Sequence, residues 1–196
     1  MQSRLRASTA KSSDCLRDHF LLAMPTLTDA IFANSITYIC EHSAEGAMGI
    51  VINHPLDLCV EEILEHLNLN AHGRHSDTPV MAGGPVHMDR GFVLHPPTEH
   101  TWEATLQVTK EVSLTTSRDI LVAMAEGEGP EQSLIALGYA GWGAGQLESE
   151  LSENSWLSLP ADSAIIFDTP YHLRAEAAAA KLGIDMNLIS GEAGHA

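Results

Sequence analysis

The sequence is poor in cations: ten Lys and Arg stand against 26 Asp and Glu over 196 residues, a formal net charge of −16. Residues 1–17 hold Arg4, Arg6, Lys11 and Arg17 against Asp14, a net of +3, which leaves −19 for residues 18–196. A surface that acidic repels phosphate backbones, so direct nucleic-acid binding is disfavoured. Cysteine is also scarce. Cys15, Cys40 and Cys59 are an odd number without metal-ligand spacing or a disulfide framework, which fits a reducing, cytoplasmic setting. No apolar run approaches the roughly 18 residues of a membrane span, so no membrane association is expected. The basic, Ser-rich start lacks the apolar core of a secretory signal, and residues 1–17 read as a disordered tail. Catalytic signatures are missing too: there is no Walker loop, GxSxG elbow, kinase signature, HExxH helix or paired CxxC. The eleven histidines come closest together at His72 and His75, in a polar loop. No metal and no cofactor are expected.

What is present centres on Leu134 to Leu151, LIALGYAGWGAGQLESEL. Its first seven residues form an apolar run suited to a strand buried on both faces. Gly141, Gly143 and Gly145 follow at alternate positions around Trp142. Leu147 and Leu151 then sit four apart among glutamates, the spacing of an amphipathic helix. The glycines do not match the dinucleotide fingerprint, and Glu148, Glu150 and Glu153 would repel a pyrophosphate. The turn reads as a strand-to-helix corner pinned by Trp142, with Gln146 as a candidate polar contact.

Elsewhere, strands are expected at Phe20–Met24, Ser35–His42, Ala47–Asn53, Val80–Ala82, Phe92–Leu94 and Ser163–Phe167, with a hairpin over Thr105–Thr115. In the second of these, Ile36, Tyr38, Cys40 and His42 would share one face. Helices are expected from Asp57 to Leu69 with Asp57 as N-cap, from Ser117 as N-cap to Gly127 or Gly129, and from Pro170 to Leu182, stopped by Gly183. Antiparallel pairs broken by isolated helices define one α+β domain over residues 18–196, with mainly antiparallel sheet against three to four helices. Its 44% hydrophobic content is enough for one core.

Cys40 and His42 can be weighed as nucleophile and base. Residues two apart on a strand stand about 6.5–7 Å apart, too far for a direct hydrogen bond, so a base such as His95 would have to come from another strand. The alternative is that Cys40 is a small buried side chain and His42 marks a strand end. Arg90, after the Gly83-Gly84-Pro85 turn, would either pair with a carboxylate or bind an anion. Arg118 opposes the dipole at a helix start, so it needs a partner: Asp119, a more distant Glu, or a ligand.

The segments HFLLAMPTL, YICEHSAEGAMGIVIN, VMAGGPVHMDRGFVLH, LTTSRDIL, LGYAGWGAGQLESELSENSWL and LISGEAGHA occur in that order. On these the chain resembles the AlgH/YqgE family of bacterial proteins over residues 18–196. The resemblance implies a cytosolic α+β domain of coiled antiparallel sheet packed on helices, in a family whose members are described as regulators of transcription. It implies a ligand or partner site among Cys40, His42, Asn53, Arg90, His95, Ser117, Arg118 and Gln146. His54 stands where a Lys or Arg would be expected. No helix-turn-helix is recognisable, so any effect on transcription should be indirect. The expectation is a non-catalytic regulatory protein that binds a small molecule or a protein partner. The alternative is a thiol-dependent hydrolase or transferase that uses Cys40 with His42 or His95.

Overall fold

The apolar periodicities become ten strands and five helices in the computed structural model, which describes residues 15–70 and 77–185. The first half holds β1 (His19–Ala23), β2 (Ile36–Ser43), β3 (Gly46–Val51), β4 (Pro55–Cys59), α1 (Val60–His66), β5 (Pro79–Ala82) and β6 (Val86–His95). Then come β7 (Thr105–Gln107), β8 (Ser113–Thr115), α2 (Asp119–Glu126), β9 (Leu134–Gly143) and α3 (Gln146–Ser152). The last elements are β10 (Trp156–Pro160), α4 (Ser163–Phe167) and α5 (Arg174–Lys181). The strands form one curled sheet in the order β10-β1-β2-β3-β9-β6-β8-β7, to which β5 and then β4 attach beside β9. The β5–β9 pair is parallel, and the other pairings among the described residues are antiparallel. This is the α+β class that the sequence pattern indicates.

Strand β9 is the centre. One edge carries β3 along its C-terminal part (Gly49↔Ala140) and β5 along its N-terminal part (Met81↔Ala136), while the other edge carries β6. β5 and β6 are consecutive, so the chain must pass over the face of β9 to join them. Two strand spacings amount to about 9.6 Å. Only Gly83, Gly84 and Pro85 connect the two strands. The ends are also offset by two residues along β9 (Ala82↔Leu137, Val86↔Tyr139), which lengthens the span to about 12 Å. The four Cα–Cα steps from Ala82 to Val86 reach about 13–14 Å when extended. The crossing is therefore taut and lies directly on β9. A Cβ on Gly84 would fall 2.1 Å from the carbonyl carbon of Tyr139, and one on Gly138 would fall 2.3 Å from the oxygen of Gly84. Gly84 and Gly138 also have φ of +152° and +74°, where a side chain is strained.

The faces of the sheet carry separate cores. Phe20, Leu22, Ile36, Tyr38, Ile50, Phe92 and Leu94 pack under Ile165 and Ile166 of α4 and Ala178 and Ala179 of α5. On the opposite side Leu21, Ile39 and Trp142 meet Leu147 of α3, while Val93 and Ile135 meet Val60 and Leu64 of α1 and Ile120 and Met124 of α2. Each fully buried aliphatic side chain contributes about 1.5–3 kcal/mol.

Several local expectations are corrected. Ser163–Phe167 is helix α4, not a strand: the Asp162 carboxylate caps it by accepting the Ala164 N–H at 2.9 Å, and adjacent Ile165 and Ile166 are both buried. Five residues are too few for periodicity to separate the two states. Asp57 lies in β4, and the helix begins only at Val60, where the Glu62 carboxylate reaches back to the Cys59 N–H at 2.8 Å. Ser117 does not cap α2, because its hydroxyl accepts from Ala104 N–H and donates to Asp119. Gly141 and Trp142 continue β9 instead of opening the turn, and β10 is an element that the sequence reading lacks. The structure reaches back at least to Cys15: Leu16 is buried, and the Arg17 guanidinium donates to the carbonyls of Gln107 and Val108.

The crossing predicts a sharp contrast between glycines. Gly84→Ala and Gly138→Ala should each lower stability in urea unfolding by about 3 kcal/mol or more, from overpacking plus backbone strain. Gly91→Ala, whose added Cβ meets nothing within 4 Å, should change it by less than about 0.5 kcal/mol. Equal midpoints for the three variants would refute the taut crossing.

Candidate functional site

The supposed Cys40–His42 face is broken by a bulge. Pairing of β2 with β3 slips between Ile39 and Glu41, so the alternation resets after Cys40. Cys40 stays with Ile36 and Tyr38 in the core under α4 and α5. His42 sits opposite Ala47, which in turn pairs with Trp142, on the other face. The Cys40 thiol is 0% exposed and donates to the Tyr38 carbonyl at 3.8 Å, and burial pushes its pKa far up. A neutral thiol out of reach of water is no nucleophile, so the geometry lends the thiol-enzyme alternative no support.

The two histidines have internal duties. His42 Nδ1 accepts the Leu16 N–H at 2.9 Å, which leaves Nε2 to donate to Glu148 Oε1 at 2.8 Å. The Glu148 carboxyl is held below its usual range by a backbone N–H and by this bond. His95 Nδ1 donates to the Pro96 carbonyl, and Nε2 meets the Thr115 hydroxyl, both at 2.8 Å. Burial lowers the pKa of His95, and its ring stands edge-on to Trp102 at 4.9 Å. Neither histidine is bonded to Cys40. His54 is likewise shifted down by burial, an effect that the backbone of Ile31, Ala33 and Asn34 offsets only in part. His72 and His75 lie outside the described residues.

Three further candidates serve the fold. Asn53 accepts the Ile36 N–H and donates to the Asn34 carbonyl, both at 2.9 Å, which locks the turn into β2. The indoles of Trp142 and Trp156 both donate to Glu150 Oε2, at 2.9 and 2.8 Å, and their rings meet edge to face at 5.9 Å. Gln146 accepts the Gly143 N–H at 3.0 Å and donates to Glu150 Oε1 at 2.9 Å. The Glu150 carboxylate thus joins β9, α3 and β10. The sequence reading missed it, although the Gln146–Glu150 spacing of four was visible.

Arg90, Ser117 and Arg118 do come together. After the crossing, β6 pairs at Val86 with Tyr139 and again only at Gly91 with Leu137, so His87–Arg90 bulge away from β9. Two depressions flank the bulge. One is a polar groove of about 850 Å³ reached by His42, Arg90, Tyr139 and Trp142. The other is a cleft of about 430 Å³ between α1 and α2, floored by Leu58, Ile63, Val93, Leu121 and Leu137 and edged by Arg90, Ser117 and Arg118. Glu62, His66 and Asp89 also reach its rim. Among the described residues neither arginine is in an ion pair. Arg118 donates to the Leu67 carbonyl at 2.9 Å, closing the C-terminal end of α1. Arg90 lies 5.8 Å over the Phe92 ring and only grazes the Thr116 hydroxyl at 3.5 Å. The expected carboxylate partners are absent there. The apolar floor was legible only in part, as the helical stripe Ile63 and Leu67.

A family model described as AlgH-like matches residues 20–187. The chain is 55% identical over 181 residues to a UPF0301 protein of Nitrosococcus oceani, covering 92% of this chain and 96% of that one. It is 56% identical over 181 residues to a UPF0301 protein of Saccharophagus degradans, with coverage of 92% and 89%. The solution structure of the AlgH protein from Pseudomonas aeruginosa is similar with a TM-score of 0.77 and 50% identity, over 96% of this chain and all of that one. The crystal structure of protein DIP2367 from Corynebacterium diphtheriae shares the fold at a TM-score of 0.60 and 18% identity, over 76% of this chain and 78% of the other.

The lowered pKa values of His54 and His95 set a pH dependence. Both rings favour the neutral form when folded, so below the ordinary imidazole value near 6.5 the unfolded chain takes up protons first. Stability is then full above about pH 6.5 and falls as pH drops from there toward the folded-state values. Urea midpoints measured between pH 7.5 and 5.5 should show the decline, and His95→Gln should flatten it. An unchanged slope in His95→Gln would contradict this assignment.

Proposed function

The chain belongs to the AlgH-like family, and we propose that it is a non-catalytic regulatory protein whose small-molecule ligand occupies the cleft between α1 and α2. One observation carries this reading: two guanidinium groups without ion-pair partners among the described residues stand at the edge of an apolar cavity. About 430 Å³ is within the size range of small-molecule sites, which combine apolar walls with a few polar groups. The matching ligand has an apolar body and an anionic head. A guanidinium has five N–H donors in a fixed fork suited to a carboxylate, and Arg118 spends one on Leu67. Glu62, across the rim, is occupied by the Cys59 N–H.

The setting is cytoplasmic in this reading. Cys15, Cys40 and Cys59 are free thiols, and no helix among the described residues is long and apolar enough to cross a membrane. Regulation of transcription would act through the ligand or a protein partner, because the −19 charge of residues 18–196 opposes contact with DNA.

Gly91 offers a clean test. It lies opposite Leu137 on the cleft floor, and a Cβ there meets open space. Gly91→Leu should fill the cleft without disturbing the backbone. With octanoate as probe, amide NMR should show saturable shifts in the wild type, weakened at least about tenfold in Gly91→Leu. Arg118→Met should cost a similar factor, as one charge-assisted hydrogen bond is worth about 1.5–3 kcal/mol. No saturable shift, or equal binding by the filled variant, would overturn the assignment.

A further inference from the structure

We infer that a second site, for a small oxyanion, lies at the start of α5 around Arg174. This arginine is 9% exposed, and among the described residues no carboxylate comes within ion-pair distance of it. Its Nε donates to the Thr169 carbonyl at 3.0 Å and its Nη1 to the Ile52 carbonyl. Those two bonds fasten α5 to the end of β3, but neutral donors could do the same. A buried cation is costly unless a counter-charge accompanies it.

Two features of the surroundings oppose a cation here and favour an anion. Arg174 is the first residue of α5, the end at which a helix dipole is positive. Desolvation alone brings the guanidinium down to about 10, with no neighbouring carboxylate raising it. The side chain also lines a cavity of about 300 Å³ together with Thr78, Ser133 and Tyr171, whose hydroxyls are the donors a phosphate or carboxylate group accepts from. The acidic lining residue, Asp168, is exposed and takes a hydrogen bond from Gln132 at 2.5 Å. An oxyanion in this cavity would meet the remaining guanidinium N–H groups and relieve both penalties. The site is on the opposite side of the sheet from the α1–α2 cleft and does not rest on it.

The experiment is a titration of the full chain with inorganic phosphate and with acetate, read by amide NMR against sodium chloride of equal ionic strength. Saturable shifts at Thr78, Ser133, Thr169 and Arg174 with either oxyanion and not with chloride are expected. The stronger of the two identifies the ligand class. Arg174→Lys should weaken binding several-fold and Arg174→Met should abolish it. Because Arg174→Met also loosens α5, the Thr78→Val and Ser133→Ala double variant is the second arm: it should weaken binding while leaving the urea midpoint in chloride unchanged. No saturable shift with either oxyanion, or full binding by the double variant and by a folded Arg174→Met, would overturn the proposal. The octanoate shifts of the cleft residues Leu121 and Leu137 should be unchanged in all of these variants, which separates this site from the cleft.

Discussion

The passage of the chain across the face of β9 is the constraint on which the rest of the molecule depends. β5 and β6 lie on opposite edges of β9, and three residues join them. That distance is close to the limit of an extended chain. The backbone therefore lies against the strand that it crosses, and Gly83, Gly84 and Gly138 leave the space which makes contact possible. Any side chain there would separate β9 from the crossing. Since β9 pairs with β3, β5 and β6, it would also loosen the centre of the sheet.

Both depressions follow from that geometry. Immediately after the crossing, β6 cannot stay in register with β9, and five residue steps on β6 match two on β9 between Val86 and Gly91. The surplus becomes the bulge that carries Arg90 to the divide between groove and cleft. The far end of β9 is secured differently. There the Glu150 carboxylate holds two indoles and, through Gln146, the Gly143 N–H. The strand is thus held tightly at two points, and the cleft lies on the side of the first.

Sequence pattern revealed the strands with strong alternation, the glycine stop of α5 and the α+β class, because these depend on local periodicity and turn chemistry. It failed where a distant contact decides. The bulge at Cys40 adds one residue to β2 and turns His42 to the other face, and nothing within SITYICEH marks it. Ser163–Phe167 is too short for its period to be read, and Asp162 makes it a helix. Among the site candidates, Arg90 and Arg118 were visible as isolated cations in an acidic chain. Their shared cleft depends on α1 folding over β6, which no spacing in the sequence reports. Trp142 and Gln146 stood out for their place beside glycines, but the residue that employs them, Glu150, looked like any exposed helix glutamate. Arg174 was hidden for the same reason, in a run of alanines.

Family membership and fold are settled by the similarity to AlgH-like proteins, and the chemistry of the cleft is what turns them into a functional account. In the proposed reading, an acidic protein with two guanidinium groups that have no ion-pair partner among the described residues, beside an apolar hollow, is arranged to retain a small amphipathic acid. The most direct test is native mass spectrometry of the protein purified gently from cells that produce it. The account predicts a retained organic acid on the wild-type chain that is absent from Gly91→Leu. A wild-type chain with no retained mass, or the same mass on both proteins, would contradict it.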